Sequence, residues 1–360
     1  MKKLALFLLL TTCAGIFEAN AQIRKYSNEF LAIGVGGRAF GMSGATVASS
    51  NDVTSGYWNP AGLMGIKNDF QTGLMHAEYF ASIAKYDYGA VAGKIDSSSA
   101  FGISIIRFAV DDIANTTQLI DAGGNVDYDR ITTFSAQDYA FIFSYARETP
   151  IAGLNVGGNF KIIRRKVGDF AGAWGFGIDA GAQYKRGNWQ FGAVMRDVTS
   201  TFNAWSYTLS QEMIDAFTQT GNEIPQNSLE LTMPRLILGA TRTWTFGKKD
   251  QFSAGGEVDL VNTFDGKRNV LIKTGLWSME PAVGFEGGFK NMIFFRAGIG
   301  NIQKAKDVLG QDATTFQPNF GIGIKIKSVS IDYALTDIGD QSVALYSNVF
   351  SLRLDLDRKK

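Results

Sequence analysis

Cysteine, proline and histidine are all scarce in this 360-residue sequence, which has one cysteine, six prolines and one histidine. The cysteine, Cys13, falls in the apolar stretch at the N-terminus, so the rest of the chain has no disulfide framework. With His76 as its single imidazole it also has no Cys/His set for a transition metal, and no cofactor is expected. A catalytic serine would have only His76 to take its proton, and nothing in the sequence places a carboxylate beside that residue, so a Ser-His-Asp hydrolase is a poor fit and no enzyme is expected. Charge bias is missing too. Lys and Arg number 35 against 34 Asp and Glu, a net charge of +1, which leaves no field for a nucleic-acid partner. Beyond the first 21 residues no apolar run reaches 18, so no helix is expected to cross a membrane.

The N-terminus itself carries a short apolar run. Lys2 and Lys3 precede it, residues 4–16 form it, and Ala19-Asn20-Ala21 follows as a small-x-small cleavage site. Residues 1–21 therefore read as a secretory signal peptide. Thr12 stands where a lipid-modified cysteine needs a smaller neighbour, so Cys13 is not read as a lipid anchor.

Glycine and aromatic residues are abundant: 41 Gly, 27 Phe, 12 Tyr and 6 Trp. From Asp69 onward they fall on a two-residue period. Trp174, Phe176, Ile178, Ala180, Ala182 and Tyr184 alternate with Gly175, Gly177, Asp179, Gly181, Gln183 and Lys185. Helical spacing of three and four is absent from these segments. Many run for about ten or more residues, as tilted membrane strands do, against about five or six for soluble ones. Aromatics cluster at their ends, and the connections alternate between short turns and long loops, the pattern of an outer-membrane barrel. About fourteen such segments fit between residues 69 and 356, an even number as closure requires. The expected fold is all-β: a 14-stranded antiparallel transmembrane β-barrel in the bacterial outer membrane. Long loops are expected at 112–135, 167–173, 199–233, 262–281, 302–314 and 337–344. Residues 209–220 read as a short helix capped by Ser210. Residues 268–277 are assigned to a loop, because an odd strand would not close the barrel.

A barrel of this size has a lumen wider than its own side chains fill. Residues 22–67, between the signal peptide and the barrel (68–360), lack strict alternation and carry Gly34, Gly36, Gly37, Gly41 and Gly44 before closing on Trp58-Asn59-Pro60-Ala61-Gly62. They read as a hatch, or plug, folded into the lumen. The glycines do not spell a phosphate loop, since GxxxxGK[ST] is absent; close packing explains them. Asn59-Pro60 reads as a turn. Arg38 is expected to pair with a lumen carboxylate, with Glu257, Asp259 and Glu286 as candidates. Asp179, Lys185, Arg196, Glu257, Asp259, Glu286, Lys290, Arg296, Lys325 and Arg353 are expected to face the lumen as a network of both signs. In the longest loop Phe202, Trp205, Tyr207 and Phe217 are either girdle residues or a partner-binding patch.

Residues 30–42, FLAIGVGGRAFGM, with residues 45–48 and Tyr57-Trp58-Asn59-Pro60-Ala61-Gly62-Leu63, resemble the N-terminal signature of PorV/PorQ-type outer-membrane proteins. More distantly they are similar to FadL fatty-acid transporters. Phe294-Phe295-Arg296-Ala297-Gly298, Pro318-Asn319-Phe320-Gly321 and Ser330-Ile331-Asp332-Tyr333-Ala334 also resemble PorV relatives. The resemblance implies a 14-stranded, FadL-like barrel with its N-terminal segment in the lumen. In the PorV branch it implies a part in type IX secretion, with translocon subunits or cargo C-terminal domains as partners beside outer-membrane lipid and lipopolysaccharide. In the FadL branch it implies uptake of hydrophobic small molecules. Two positions depart from the resemblance: Gly37, where alanine is commoner, and Ser43, where glycine is.

Overall fold

The computed structural model describes residues 27–120, 123–264, 266, 268–306, 312–336 and 346–357. The expected signal peptide, Cys13 and the loop expected at 337–344 lie outside the described residues. Within them alternating sequence becomes strand: β1 (Phe70–Tyr79), β2 (Ala84–Lys94), β3 (Ser99–Asn115), β4 (Thr132–Glu148), β5 (Leu154–Val167), β6 (Ala171–Arg186), β7 (Trp189–Arg196), β8 (Phe202–Tyr207) and β9 (Ser228–Leu231). There follow β10 (Arg235–Phe246), β11 (Phe252–Thr263), β12 (Ile272–Lys273), β13 (Ser278–Phe289), β14 (Ile293–Lys306), β15 (Asp312–Ile326), β16 (Val329–Thr336) and β17 (Ser347–Leu356).

All ladders are antiparallel, and β1 pairs with β17 from Phe70↔Leu356 to Glu78↔Asn348, which closes the sheet. Closure joins the first and last wall strands, so the body of the wall finds its backbone partners without water, while β9 at the extension pairs with β8 alone. β7 and β8 both pair with β6 and are successive halves of one wall strand. β9 pairs with β8 and β10 with β7, so they too form one strand. β12 adds two residues to the end of β13. Fourteen wall strands result. The alternation sorts by face: Trp174, Phe176 and Ile178 of β6 are exposed outward while Asp179 and Gln183 are buried inside.

The loops differ from expectation in four places, the first being 302–314, where β14 runs to Lys306 and β15 begins at Asp312. The connection expected at 167–173 is a tight turn, because β5 runs to Val167 and β6 begins at Ala171. Residues 199–233 are not all loop: β8 and β9 extend the wall on either side of helix α1 (Gln211–Gln219), which Ser210 caps by accepting from the Met213 amide. Residues 268–277 hold the two-residue strand β12 inside an otherwise irregular loop.

Among the described residues before β1, from 27 onward, the chain has no strand. It makes a 3-10 turn at Glu29–Ala32, short helical turns at Gly37–Gly41 and Ser55–Trp58, and a 3-10 turn at Pro60–Gly65. These pieces pack against inward faces on several sides of the barrel. A Cβ added to Gly37 would lie 2.9 Å from Asp332 O on β16, and one added to Gly157 on β5 would lie 2.7 Å from Ala61 N. The buried core is shared between the two: Val35, Ala39, Tyr57 and Trp58 pack with Tyr86, Ile106 and Ile142 of the wall.

Candidate functional site

The candidate site is the contact between the N-terminal segment and the wall. Its glycines do two different jobs. Gly34 (φ +113°) and Gly36 (φ +86°) occupy backbone conformations that side chains resist. Gly41 has ordinary φ but lies against the wall, where an added Cβ would sit 2.9 Å from Gly321 Cα. Ser43, at φ 55°, holds a left-handed conformation without being glycine, and Asn319 donates to its hydroxyl at 2.7 Å.

Trp58 and Asn59 tie the segment to itself and to β6. The Trp58 indole N–H donates to Val35 O at 2.9 Å, and its ring meets Tyr57 edge-on at 4.9 Å. The Asn59 amide donates to Val47 O at 2.9 Å and Ala182 O at 3.0 Å, while its carbonyl accepts from the Ala61 amide at 3.2 Å. That last bond caps the 3-10 turn in which Pro60 takes the first position. The Arg196 guanidinium lies 4.5 Å from the Tyr57 ring centre and donates to Leu31 O and Tyr57 O.

Three charge groups anchor the segment, and a fourth lies within the wall beside it. Arg38 grips Glu286 with two bonds of 2.9 and 3.3 Å, and Arg296 links the same carboxylate (2.6 Å) to Asp332 (2.7 Å). Of the three carboxylates open to Arg38, Glu286 is the partner. Glu257 and Asp259 take backbone instead. Asp259 accepts from the Thr46 and Val47 amides at 2.8 and 3.0 Å, and Glu257 from the Ala48 and Ser49 amides at 2.7 and 3.2 Å. Four successive N–H groups thus converge on two carboxylates two residues apart on one strand, an anion nest with the anions supplied by the wall. Arg353 pairs with Asp52, and Gln71 joins the Val53 amide (3.0 Å) to Asp355 (2.8 Å). Lys161, buried, bridges Asp179 at 2.7 Å and Asp197 at 2.5 Å. Beside that triad Asn159 donates to Gly56 O at 2.9 Å.

Burial opposes the charge on Asp52, but Arg353, Thr54 and Arg38 outweigh it and hold its carboxyl below the usual range. Burial likewise opposes the Arg38 charge, and Glu286 more than offsets it.

The sequence placed most of this network. Two of its residues lie elsewhere: Lys185 is exposed near the end of β6, and Lys290 sits in the turn after β13 with its ammonium over the Phe289 ring at 5.1 Å. Asp52, Lys161 and Asp197 were missed. Asp197 sits at a positive φ of 56° where β7 bulges before β8, and no alternation announces such a position. His76 does have a carboxylate neighbour, contrary to the sequence reading: Asp87, its cross-strand partner, lies 2.7 Å from Nδ1. Register, which sequence spacing does not reveal, brings them together. The loop aromatics separate. Phe202 is exposed on the outer face, its ring tilted against that of Phe176 with centres 5.7 Å apart. Trp205 and Tyr207 alternate with it onto the other face, stacked at 6.2 Å. Arg165 lies over the Trp205 ring, and the indole donates to Glu230. Phe217 is half-buried on α1.

On the long-loop side of the segment lies a cavity of about 430 Å³, lined among others by Phe40, Trp58, Ile237, Arg196, Arg268 and Gln317. The cavities at Asp52–Arg353 and at Lys161–Asp197 hold only about 30 Å³ each.

The family profile described as "Type IX secretion system protein PorV" matches residues 18–204. The chain belongs to the PorV family. Among solved structures it is similar to the Pseudomonas putida toluene transporter TodX, with a TM-score of 0.57 and 12% identity over 93% of this chain and 100% of that one. It is also similar to the CymD monoaromatic hydrocarbon channel, with a TM-score of 0.54 and 13% identity over 91% and 98%. The Ralstonia pickettii toluene transporter TbuX gives 0.51 and 16% over 90% and 98%. At such identities these likenesses show the barrel fold alone. No curated protein matches the sequence. Family and fold together mark an outer-membrane barrel.

Proposed function

We propose that this PorV-family barrel serves type IX secretion by binding, not by conducting, and that residues 22–67 are a plug that stays seated in the lumen. The observation that carries this reading is the number and spread of the anchors. The segment is bonded to β6, β11, β13 and β17 through buried groups, and a plug held on so many sides does not open for a small ligand without breaking charge pairs. The function then resides on the outside of the barrel and in its loops, where a translocon subunit or the C-terminal domain of a cargo protein would bind. Phe202 on the outer face and Phe217 on α1 belong to the loop side of this surface, while Trp205 and Tyr207 line the opposite face of the same extension.

A FadL-like uptake channel is the second reading. The cavity of about 430 Å³ above the plug favours it, as does the fold shared with structures titled as hydrocarbon channels. Its lining mixes arginine and glutamine with aromatics, so it is not a continuous apolar path. A detergent pull-down from outer membranes, read by mass spectrometry, separates the two. Secretion predicts large protein partners; recovery of the barrel alone, with a hydrocarbon bound, would sink it.

A further inference from the structure

Several outward-facing cations of the wall find acceptors within the protein. Arg107 on β3 lies 3.2 Å from Asp87, Lys85 on β2 3.6 Å from Asp111, and Lys166 on β5 2.9 Å from Asp169. Arg164 on β5 donates to the Arg165 and Ala173 carbonyls at 3.1 and 3.2 Å. Arg242 on β10 differs. It faces outward, since Ile237 and Thr241 of the same strand are buried inside while Leu238 and Trp244 are exposed. Among the described residues it has no hydrogen bond and no acid partner, and its Nε is buried without an acceptor. What it has is two indoles: the guanidinium carbon lies 5.2 Å from the Trp189 ring centre and 5.1 Å from that of Trp244. A ring face attracts the charge, yet the fork of N–H donors still needs oxygen.

Arg242 pairs across the sheet with Trp189, the first residue of β7, just after the short turn at Gly187–Asn188. Short turns of an outer-membrane barrel face the periplasm, and aromatic girdles mark the headgroup level. Trp189 and Trp244 are both exposed in part, and the Phe246 and Phe252 rings stack at 5.6 Å at the end of the hairpin. Arg242 therefore stands in the girdle at the inner-leaflet interface. Its partner on the other side is Gly256 of β11, where an added Cβ would meet nothing within 4 Å. The arginine is thus walled by tryptophan on one flank and open on the other. Neither Trp189 nor Trp244 has an acceptor for its indole N–H among the described residues. Exposed cations gather at the same corner. Arg186 is the cross-strand partner of Trp189, and Lys248 and Lys249 lie in the turn after β10 with Asp250 as the acid beside them.

We infer that Arg242, Trp189 and Trp244 form a binding site for an inner-leaflet phospholipid with a net negative headgroup. A phosphate diester offers the pair of oxygens that a guanidinium fork takes. The acyl chains would rise over Ala240 and Val258, the apolar outward pair next above Arg242 and Gly256. The surplus of cations favours an anionic headgroup over a zwitterionic one, whose ammonium they repel. Inorganic phosphate shares the oxyanion chemistry but makes no use of the apolar wall above the arginine. The inference is independent of both functional readings, since neither calls on this corner.

The test is native mass spectrometry of the full chain, purified in detergent, stripped of lipid and then offered phosphatidylglycerol or phosphatidylethanolamine. We expect a single tightly held phosphatidylglycerol, and at least about fivefold less phosphatidylethanolamine at equal concentration. Arg242→Leu suits a lipid-facing position, so the barrel should stay folded by its heat-modifiable migration in SDS gels while phosphatidylglycerol occupancy falls at least about fivefold. Arg242→Gln, read beside it, should lose the lipid to a similar extent. Arg147→Leu removes an exposed outward cation near the short-turn end of β4 and should leave occupancy unchanged. Unchanged occupancy in the folded Arg242 variants, an equal loss in Arg147→Leu, or equal binding of the two phospholipids would each overturn the inference. Release of the lipid by excess inorganic phosphate at constant ionic strength would overturn it too, because the site would then be one for free phosphate.

Discussion

Asn59 shows how much one side chain carries in this molecule. It joins two parts of the N-terminal segment and reaches the wall, yet in sequence it is only the start of an Asn-Pro turn. Asn59→Ala leaves two buried carbonyls and one amide without their partner, and should cost about 2–3 kcal/mol in a urea unfolding titration in detergent. Glu257→Ala strips the acceptor from the Ala48 and Ser49 amides, and a loss of similar size is expected from the same titration. Ser43→Gly should relieve the left-handed backbone but lose the bond from Asn319. The two effects are each about 1 kcal/mol and opposed, so the midpoint should hardly move. Asp52 gives a pH dependence with a definite sign. Its folded pKa is depressed, so its contribution is complete above its unfolded value and is lost as pH falls through the lower folded one. Protease protection of the N-terminal segment should therefore persist at neutral pH and fail only in strong acid, and Asp52→Asn should remove that acid step. At this scale the sequence showed that Arg38 needed a carboxylate and offered three; only the fold selects Glu286, because the Glu257 and Asp259 carboxylates are taken by backbone amides.

At the scale of elements, strict alternation was enough to find the strands. Those from β1 to β7, β10, β11 and those from β13 to β17 begin and end near the places the two-residue period marks. What it missed were β8, β9 and the two-residue β12. Residues 197–201 bulge between β7 and β8, with Asp197 and Ser200 at positive φ, and the interruption hides that Phe202–Tyr207 resumes the same strand. The bulge is sealed from inside by the start of the N-terminal segment, where Asn203 donates to Asn28 at 3.0 Å and the Ser27 and Thr232 hydroxyls meet at 2.5 Å. This places the β8–β9 extension and α1 above a finished wall. Replacing residues 209–226 with a short Gly-Ser linker should therefore leave the barrel folded, with its heat-modifiable migration in SDS gels intact, while weakening recovery of protein partners in the pull-down. Loss of the folded form would show that the helix supports the wall instead.

For the whole molecule the decisive relation is between a closed wall and the segment inside it. Closure by β1 and β17 satisfies the backbone, and inward-facing glycines such as Gly181 and Gly192 let the segment approach the wall where any side chain would collide. A wide barrel and a glycine-rich leader were both visible in the sequence; the choice between a fixed plug and a moving gate was not, because it depends on anchors contributed by strands far apart in the chain. A reversible lock tests that choice most directly. Ser43 of the N-terminal segment packs against β14, where a Cβ added to Gly300 would stand 3.2 Å from the Ser43 Cβ, a little under the usual disulfide spacing. Beyond Cys13 the sequence has no cysteine of its own to compete. In cells relying on the Ser43→Cys, Gly300→Cys variant, the measurement is delivery of type IX cargo to the cell surface with the lock oxidised and then reduced. The account predicts equal delivery in both states. Delivery that stops on oxidation and returns on reduction would contradict it.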